Sequence, residues 1–399
     1  MVHRLAILTT HPIQYHAPWF RALAAHPQVH LEVLYCHRAT PREQAAAGFG
    51  FEFDWDVSLL DGYPHRFLRN AAAEPTINSF HGLDTPDIRK VIEEGNFDAV
   101  LINGWHYKSA WQAMRACWNT GTPVMVRSDS HLRTARSNAK QMAKWPLYRW
   151  FIPKLDACLP VGQWSRDYFL HYGANPQKIF IIPHVIDDVF FSQESDRLRP
   201  QRDQIRRDWG LSPSQTVFLF AGKFVEKKRP MDFLRAIKRA VEGDSKIAGL
   251  MVGDGPLKTQ CEEFATKENL PVHFTGFLNQ SEIVKAYVAA DALVLPSDGG
   301  ETWGLVVNEA MACGLPCFIS DQVGCGPDMV AGDETGGIFR LGDTEDMASL
   351  LTAFAQNESS RMTLSSRARN KASSHSVAAA VEATARVLTS VMEKGKALR

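Results

Sequence analysis

The chain has no long apolar run, and that excludes a membrane-spanning helix as its organising feature. It has no excess of either charge: Lys plus Arg is 44 and Asp plus Glu is 44. A protein whose main task is to coat nucleic acid would be strongly basic. No two of its seven cysteines form a Cys-x-x-Cys pair, and their number is odd. They sit in apolar settings such as "DACLPVG" and "MACGLP", so they read as reduced thiols of a cytoplasmic protein. The opening "MVHRLAILTTHP" has too short an apolar run for a signal peptide and reads better as a first strand. No repeat at solenoid period is visible. No compact Asp-x-Asp or His/Cys cluster that would demand a metal ion stands out, so neither metal nor other cofactor is expected.

What is present is 399 residues, 45% hydrophobic and 22% charged, enough for two soluble domains. Short apolar runs alternate with amphipathic stretches. Strands are expected at "RLAILTT", "HLEVLYC", "FDAVLING", "PVMVRSD", "ACLPVG" and "IFIIPHV", then at "TVFLFAG", "AGLMVGDG", "VHFTGF", "ALVLPS" and "PCFISD". Runs apolar at nearly every position imply strands buried on both faces, hence parallel sheets with helical crossovers. Helices are expected at "RPMDFLRAIKRAVEG", "QSEIVKAYVAAD" and "WGLVVNEAMACG". A charged stretch without strand signal, 191–213, reads as a connection between a first domain, 1–190, and a second, 214–375. A final amphipathic helix in 376–399 is expected to pack back on the first domain. In doubly wound sheets ligands bind beyond the carboxyl ends of the strands, and two facing domains make a cleft.

Four pieces at strand ends of the second half invite a chemical reading. "AGKFVEKKRP" puts Gly222 at a strand end with Lys223 and Lys228 in the loop behind it. Two ammonium groups there suit a diphosphate, although a solvated lysine loop looks the same. "VGDGP" supplies Gly253 in an ordinary tight turn. "HFTGFLNQSE" ends a strand at Gly276, Phe277 and Leu278, able to offer backbone groups and an aromatic ring to a base, or simply to cap the next helix. "SDGGETWGLVVNEAMACGLP" sets Glu301 before a helix start and Glu309 inside the helix. Gly304 permits close backbone approach, and the amides of Trp303, Gly304 and Leu305 belong to a helix tip suited to phosphate, with Thr302 beside them as a further donor contact. A dipole-pairing Glu301 and a surface Glu309 is the alternative. The flanks "VVN" and "AMA" are a poor setting for a solvated acid.

These pieces together resemble the family 4 glycosyltransferases of the GT-B fold, whose signature is two glutamates separated by seven residues. Glu301 and Glu309 have that spacing. The likeness is strong over 216–337 and looser in the first half, where "VGQWSRDYFLHYG" and "IIPHVID" also look like the family. The resemblance implies two Rossmann-like doubly wound parallel-sheet domains facing an interdomain cleft. It implies a retaining, metal-independent transfer of a sugar from a nucleotide-diphosphate sugar, with a UDP-sugar favoured and GDP-mannose next. The acceptor would be a hydroxyl of a glycan or lipid-linked glycan in cell-surface polysaccharide synthesis. Lys223, standing where the family usually has Arg, and Lys228 would hold the diphosphate. Glu301 would contact the donor sugar, Glu309 the ribose, and Gly276 to Leu278 the base. The family's Glu-Gly-Phe-Gly is here Glu301-Thr302-Trp303-Gly304, bulk that would reshape the sugar pocket. A nucleotide-sugar epimerase and a non-catalytic sugar-nucleotide-binding relative use the same architecture.

In the first half "TTHPIQYHAPWF" lacks the Gly-rich loop common in the family and offers His11, Gln14 and His16 instead. "NGWHYKSA" offers Asn103, His106 and Lys108 at another strand end. Arg127 and Asp129 end a third. Of these, His11, Gln14, His16, His106 and Arg127 are expected to face the acceptor, with a capping or core role as the alternative for each. By resemblance Asp129 falls beside the reacting carbon and joins Glu301, Lys223 and Lys228 as catalytic, while a helix N-cap is its plain alternative. Residues 131–155 hold six Lys or Arg, no acid, and Trp145, Tyr148, Trp150 and Phe151. Such a stretch suits an anionic membrane surface, placing the protein in the cytoplasm at the inner face of the membrane, or else is a charged helix with core aromatics.

Overall fold

The computed structural model describes residues 2–38, 54–134, 138–332 and 334–397. It divides into two compact units. The first begins β1 (His3–Thr9), α1 (His16–Ala24), β2 (Val29–Tyr35) and β3 (His65–Phe67). It continues with α2 (Ile88–Gly95), β4 (Ala99–Asn103), α3 (Lys108–Thr120), β5 (Val124–Ser128), α4 (Asn138–Phe151), β6 (Ala157–Pro160) and α5 (Gln163–His171). The second holds α6 (Asp188–Leu198), α7 (Arg202–Asp208), β7 (Thr216–Ala221), α8 (Pro230–Gly243), β8 (Ile247–Val252), α9 (Lys258–Lys267) and β9 (Val272–Gly276). After it come α10 (Gln280–Ala289), β10 (Ala292–Leu295), α11 (Leu305–Ala312), β11 (Cys317–Ser320), β12 (Gly336–Phe339), α12 (Thr344–Gln356) and α13 (Glu358–Ser373). The last helix, α14 (Val377–Ala397), belongs to the first unit.

Both sheets are parallel, in the orders β3-β2-β1-β4-β5-β6 and β12-β11-β10-β7-β8-β9. Each is doubly wound: the chain leaves the centre one way, returns, and continues the other way. The reversal falls between β1 and β4 in the first unit and between β7 and β10 in the second. Those are the places where strand-end loops part and leave a crevice. Continuous burial explains the composition of the central strands. Every residue of β7, β8, β10 and β11 is buried. In β1, Ala6 and Leu8 face one apolar cluster while Leu5 and Ile7 face the other. The second cluster is completed by Ala380, Ala383, Val387, Leu388 and Val391 of α14, which packs beside α1.

Three expectations are corrected. "IFIIPHV" forms no strand: Ile179 makes one bridge to Cys158 and the segment then follows β6 through Phe180 N and Ile182 N alone. Pro183 has no N–H with which to continue a ladder. The stretch 191–213 is no open connection but α6 and α7, part of the second unit. Two of its arginines are structural anchors. Arg206 is buried and binds Asp291 Oδ2 (2.7 Å) and the carbonyls of Ala289, Pro213 and Gln215, while Arg202 takes Asp291 Oδ1 (2.6 Å). β3 and β12 were not anticipated. Each is an edge strand of three or four residues, too short for a periodic signal. The seven cysteines are free and buried.

Candidate active site

In the second unit backbone hydrogen bonds join the glycines at the ends of the central strands, and at Gly253 the backbones approach closely. Gly222 N–H donates to Val252 O (3.0 Å) and Gly253 N–H to Gly276 O (2.9 Å), so the ends of β7, β8 and β9 are laced together. A Cβ on Gly253 would lie 2.0 Å from Gly222 O, and its φ of +132° suits glycine alone. The β7 loop then turns back. Asp298 N–H donates to Lys227 O (2.8 Å), joining this loop to the one after β10 across the switch point. That junction brings Lys228 Nζ to 2.5 Å from Glu301 Oε2, both side chains mostly buried. Burial works to raise the Glu301 pKa. The ammonium of Lys228, helped by Lys227, overcomes this and holds the carboxyl below its ordinary range. Lys223 shares the field: burial foremost, then the like charges of Lys227 and Lys228, bring its pKa down to about 8, with Glu301 opposing.

Glu301 is fixed by its backbone: its N–H donates to Asp298 O (2.9 Å) and its carbonyl accepts from Gly324 N–H (3.0 Å). Gly304, at φ +101°, turns the chain into α11, whose first-turn amides have no acceptor within the helix. The Trp303 side chain is buried, with Nε1 donating to Asn308 Oδ1 (2.9 Å) and the ring 5.8 Å from His375. Its bulk is therefore housed in the second unit's interior. Glu309 is buried as well, and Tyr287 Oη donates to its Oε2 (2.5 Å). The surface-acid alternative for Glu309 fails on burial. Thr302, Leu305, Phe277 and Leu278 are half-buried at the same strand ends.

In the first unit, the expected residues gather around a cavity of about 390 Å³ beyond the ends of β1, β4 and β5. His11, His16, His106, Arg127 and Asp129 line it; Gln14 does not. Asp129 lies nine positions before α4 begins and so does not cap that helix. Arg127 is the buried charge: its Nη2 donates to Pro183 O (3.0 Å) and its guanidinium lies 5.0 Å from the Trp19 ring. Burial lowers its pKa to about 10 against the pull of Asp129, leaving it a cation. His16 is driven to about 3 by burial and by the charges of Arg127 and His11, so it is neutral. Burial also lowers His106, although Asp129 opposes it.

His184 was missed; it lines the same cavity, and its signal was the Pro-His that breaks the run "IFIIPHV". Asn103 also lines the cavity, while Lys108 is taken by Asp84 (2.6 Å). One Asp-x-Asp, Asp54-Trp55-Asp56, was passed over. The Asp56 carboxylate accepts from the N–H and hydroxyl of Ser281, and Asp54 O accepts from Asn279, so both residues secure the start of α10.

Comparison with known proteins identifies the family and the fold. The family model described as "Glycosyl transferases group 1" matches residues 201–371, and that described as "Glycosyltransferase Family 4" matches 15–190. A D-inositol 3-phosphate glycosyltransferase of Rhodococcus opacus is 30% identical over 353 residues, 80% of this chain and 76% of that protein. An N-acetyl-alpha-D-glucosaminyl L-malate synthase of Bacillus anthracis is 32% identical over 178 residues, 44% of this chain and 45% of its own length. The match thus spans less than half of that relative. Among solved structures, Anabaena HepE in complex with UDP and glucose superposes with a TM-score of 0.68 at 16% identity, covering 97% of this chain and all of that one.

Proposed function

Since the chain belongs to the family 4 glycosyltransferases and has their two-domain GT-B fold, we propose that it moves a sugar from a UDP-sugar to a hydroxyl acceptor, with retention of anomeric configuration and without a metal. GDP-mannose is the second choice of donor. The observation that carries this reading is the Lys228–Glu301 pair beside Lys223 at the switch point of the second sheet. As the bond between anomeric carbon and diphosphate breaks, negative charge grows on the leaving phosphate. Lys223, Lys228 and the amide tip of α11 would receive that charge. Glu301 would hold donor-sugar hydroxyls and Glu309 a ribose hydroxyl. Gly276, Phe277 and Leu278 would meet the base. The acceptor oxygen bonds to the anomeric carbon on the face the diphosphate leaves, and the acceptor proton passes to the departing phosphate oxygen. The HepE complex with UDP supports the choice of base. An epimerase would form product from donor alone, and labelled donor incubated without acceptor separates the two.

The deciding measurement is a nucleotide titration. UDP is expected to raise the melting temperature, since a ligand that binds only the folded chain stabilises it. Lys223 is a cation below its pKa of about 8 and loses its charge above it. UDP affinity should therefore fall by about tenfold between pH 7 and pH 9, and Lys223→Arg should flatten that slope. No shift with any nucleoside diphosphate would refute the donor reading.

The acceptor is proposed to be a glycan or lipid-linked glycan of the cell surface, reached at the inner membrane face. On α4, Tyr148 and Phe151 are core residues, whereas Trp145 and Trp150 are 42% and 50% exposed near Arg149 and Lys154. Among the described residues no helix is long and apolar enough to cross a membrane. Vesicles containing phosphatidylserine should pull down the chain at low salt. Combined Trp145→Ala and Trp150→Ala should abolish most of this; equal recovery on neutral vesicles would count against surface binding.

A further inference from the structure

The cavity of the first unit contains polar atoms that the chain itself leaves unsatisfied. Asn103 and Arg127 are register partners on β4 and β5, so their side chains leave the sheet on the same side. Gly104 N–H donates to Arg127 O (2.8 Å), which locks the two strand ends together. Arg127 is only 5% exposed, yet its Nε has no hydrogen-bond partner. Both Oδ1 and Nδ2 of Asn103 are likewise buried and unpartnered, as is Nδ1 of His16. Such groups are costly to bury unless something bonds to them. A guanidinium is costlier still, and its planar fork is suited to carboxylate or phosphate. The neighbouring imidazole of His16 is neutral and brings no competing cation. Among the described residues, the Lys, Arg, Asp and Glu side chains on the cavity wall are Arg127 and Lys144 against Asp129, a positive balance. At about 390 Å³ the space is at the small end of ligand pockets.

We propose that this cavity recognises an acceptor bearing an anionic group, carboxylate or phosphate, on Arg127 while the Asn103 amide grips a neighbouring hydroxyl. This rests on the glycosyltransferase reading for the word acceptor, but the anion site does not. A neutral glycan offers Arg127 Nε a hydroxyl oxygen but no charge to balance the buried guanidinium, whereas an anion offers both. The preference would thus separate acidic sugars, hydroxy acids and polyol phosphates from uncharged polyols.

The test is calorimetric titration of the full chain, with UDP present, using glycerol, glycerate and glycerol phosphate. These probes share one backbone and differ in charge. At least one anion is expected to bind ten or more times tighter than glycerol, and comparing the two anions tells carboxylate from phosphate. Arg127→Met should reduce that anion to the level of glycerol, and Asn103→Ala should weaken all three probes. Melting curves and UDP binding of each variant confirm folding. If Arg127→Met does not fold, Arg127→Lys serves, expected to weaken the anion at least threefold while leaving glycerol unchanged. Equal binding of glycerol and both anions, no binding of either anion at ~10 mM (a Kd weaker than the millimolar range), or an anion preference that survives loss of the guanidinium overturns the proposal. Failure of UDP to bind the wild-type chain would instead strike at the donor reading and leave the anion result standing.

Discussion

Glu301→Ala is expected to lower sugar transfer by about 10²- to 10³-fold, the range seen when one preorganised contact to the reacting group is removed. The loss should fall on kcat more than on KM for the donor, because the nucleotide is held by other groups. The same change costs stability. Lys228 keeps its burial and loses the carboxylate 2.5 Å away. Removing one member of such a pair should destabilise the chain by about 2 to 3 kcal/mol, somewhat less than for a fully dry pair. Glu301→Gln separates the two effects: it keeps the side-chain shape and a hydrogen-bond acceptor for Lys228, so it should melt nearer wild type while remaining slow. Transfer by Glu301→Ala at the wild-type rate, with the true donor and acceptor, would remove Glu301 from the mechanism. Steady-state kinetics and a melting curve on the same preparation are enough.

Lys228→Ala should weaken UDP binding by about 10²-fold, close to 3 kcal/mol, the upper range for a charge-assisted contact to phosphate. It should do more than Lys223→Ala, because Lys228 also sets the state of Glu301. Without its ammonium, burial works to raise the carboxyl pKa against only Lys227 and the Ser297 hydroxyl. In the wild-type chain the lowered pKa adds stability above the ordinary carboxyl range and loses it as the pH falls through the folded value. In the variant that contribution shrinks, so its melting temperature should fall less steeply on acidification than that of the wild type. Isothermal titration with UDP and melts from pH 4 to pH 8 check both. An unchanged UDP affinity would mean that Lys228 serves only as the counterion of Glu301.

How much of this could be read from the sequence depended on whether a local pattern carried the physics. β7 and β8 were legible because burial on both faces makes every position apolar. The start of α11 was legible because Gly304 and the two glutamates sit in one short stretch. Charge misled where its partners were remote. The charged stretch 191–213 read as a connection, but its Arg206 finds Asp291 eighty-five positions away. Bulk misled in the same way at Trp303, whose ring lies in the interior against His375. In the first unit the sequence named His11, His16, His106, Arg127 and Asp129 as strand-end groups, and they do line one cavity. That Asn103 stands level with Arg127 follows from strand register, and Gln14 lies outside the lining although it is flanked closely by two residues that belong to it.

The placement of α14 has a consequence for biogenesis. A ribosome finishes every strand of the first sheet before it starts β7, yet the apolar face of that sheet beside α1 is roofed by Ala380, Leu388 and Val391. The half made first is therefore the half sealed last. Until the final turns emerge, Leu5, Ile7, Phe20 and their neighbours lack part of their cover, and a nascent or truncated chain would present that face to chaperones, to proteases or to another copy of itself.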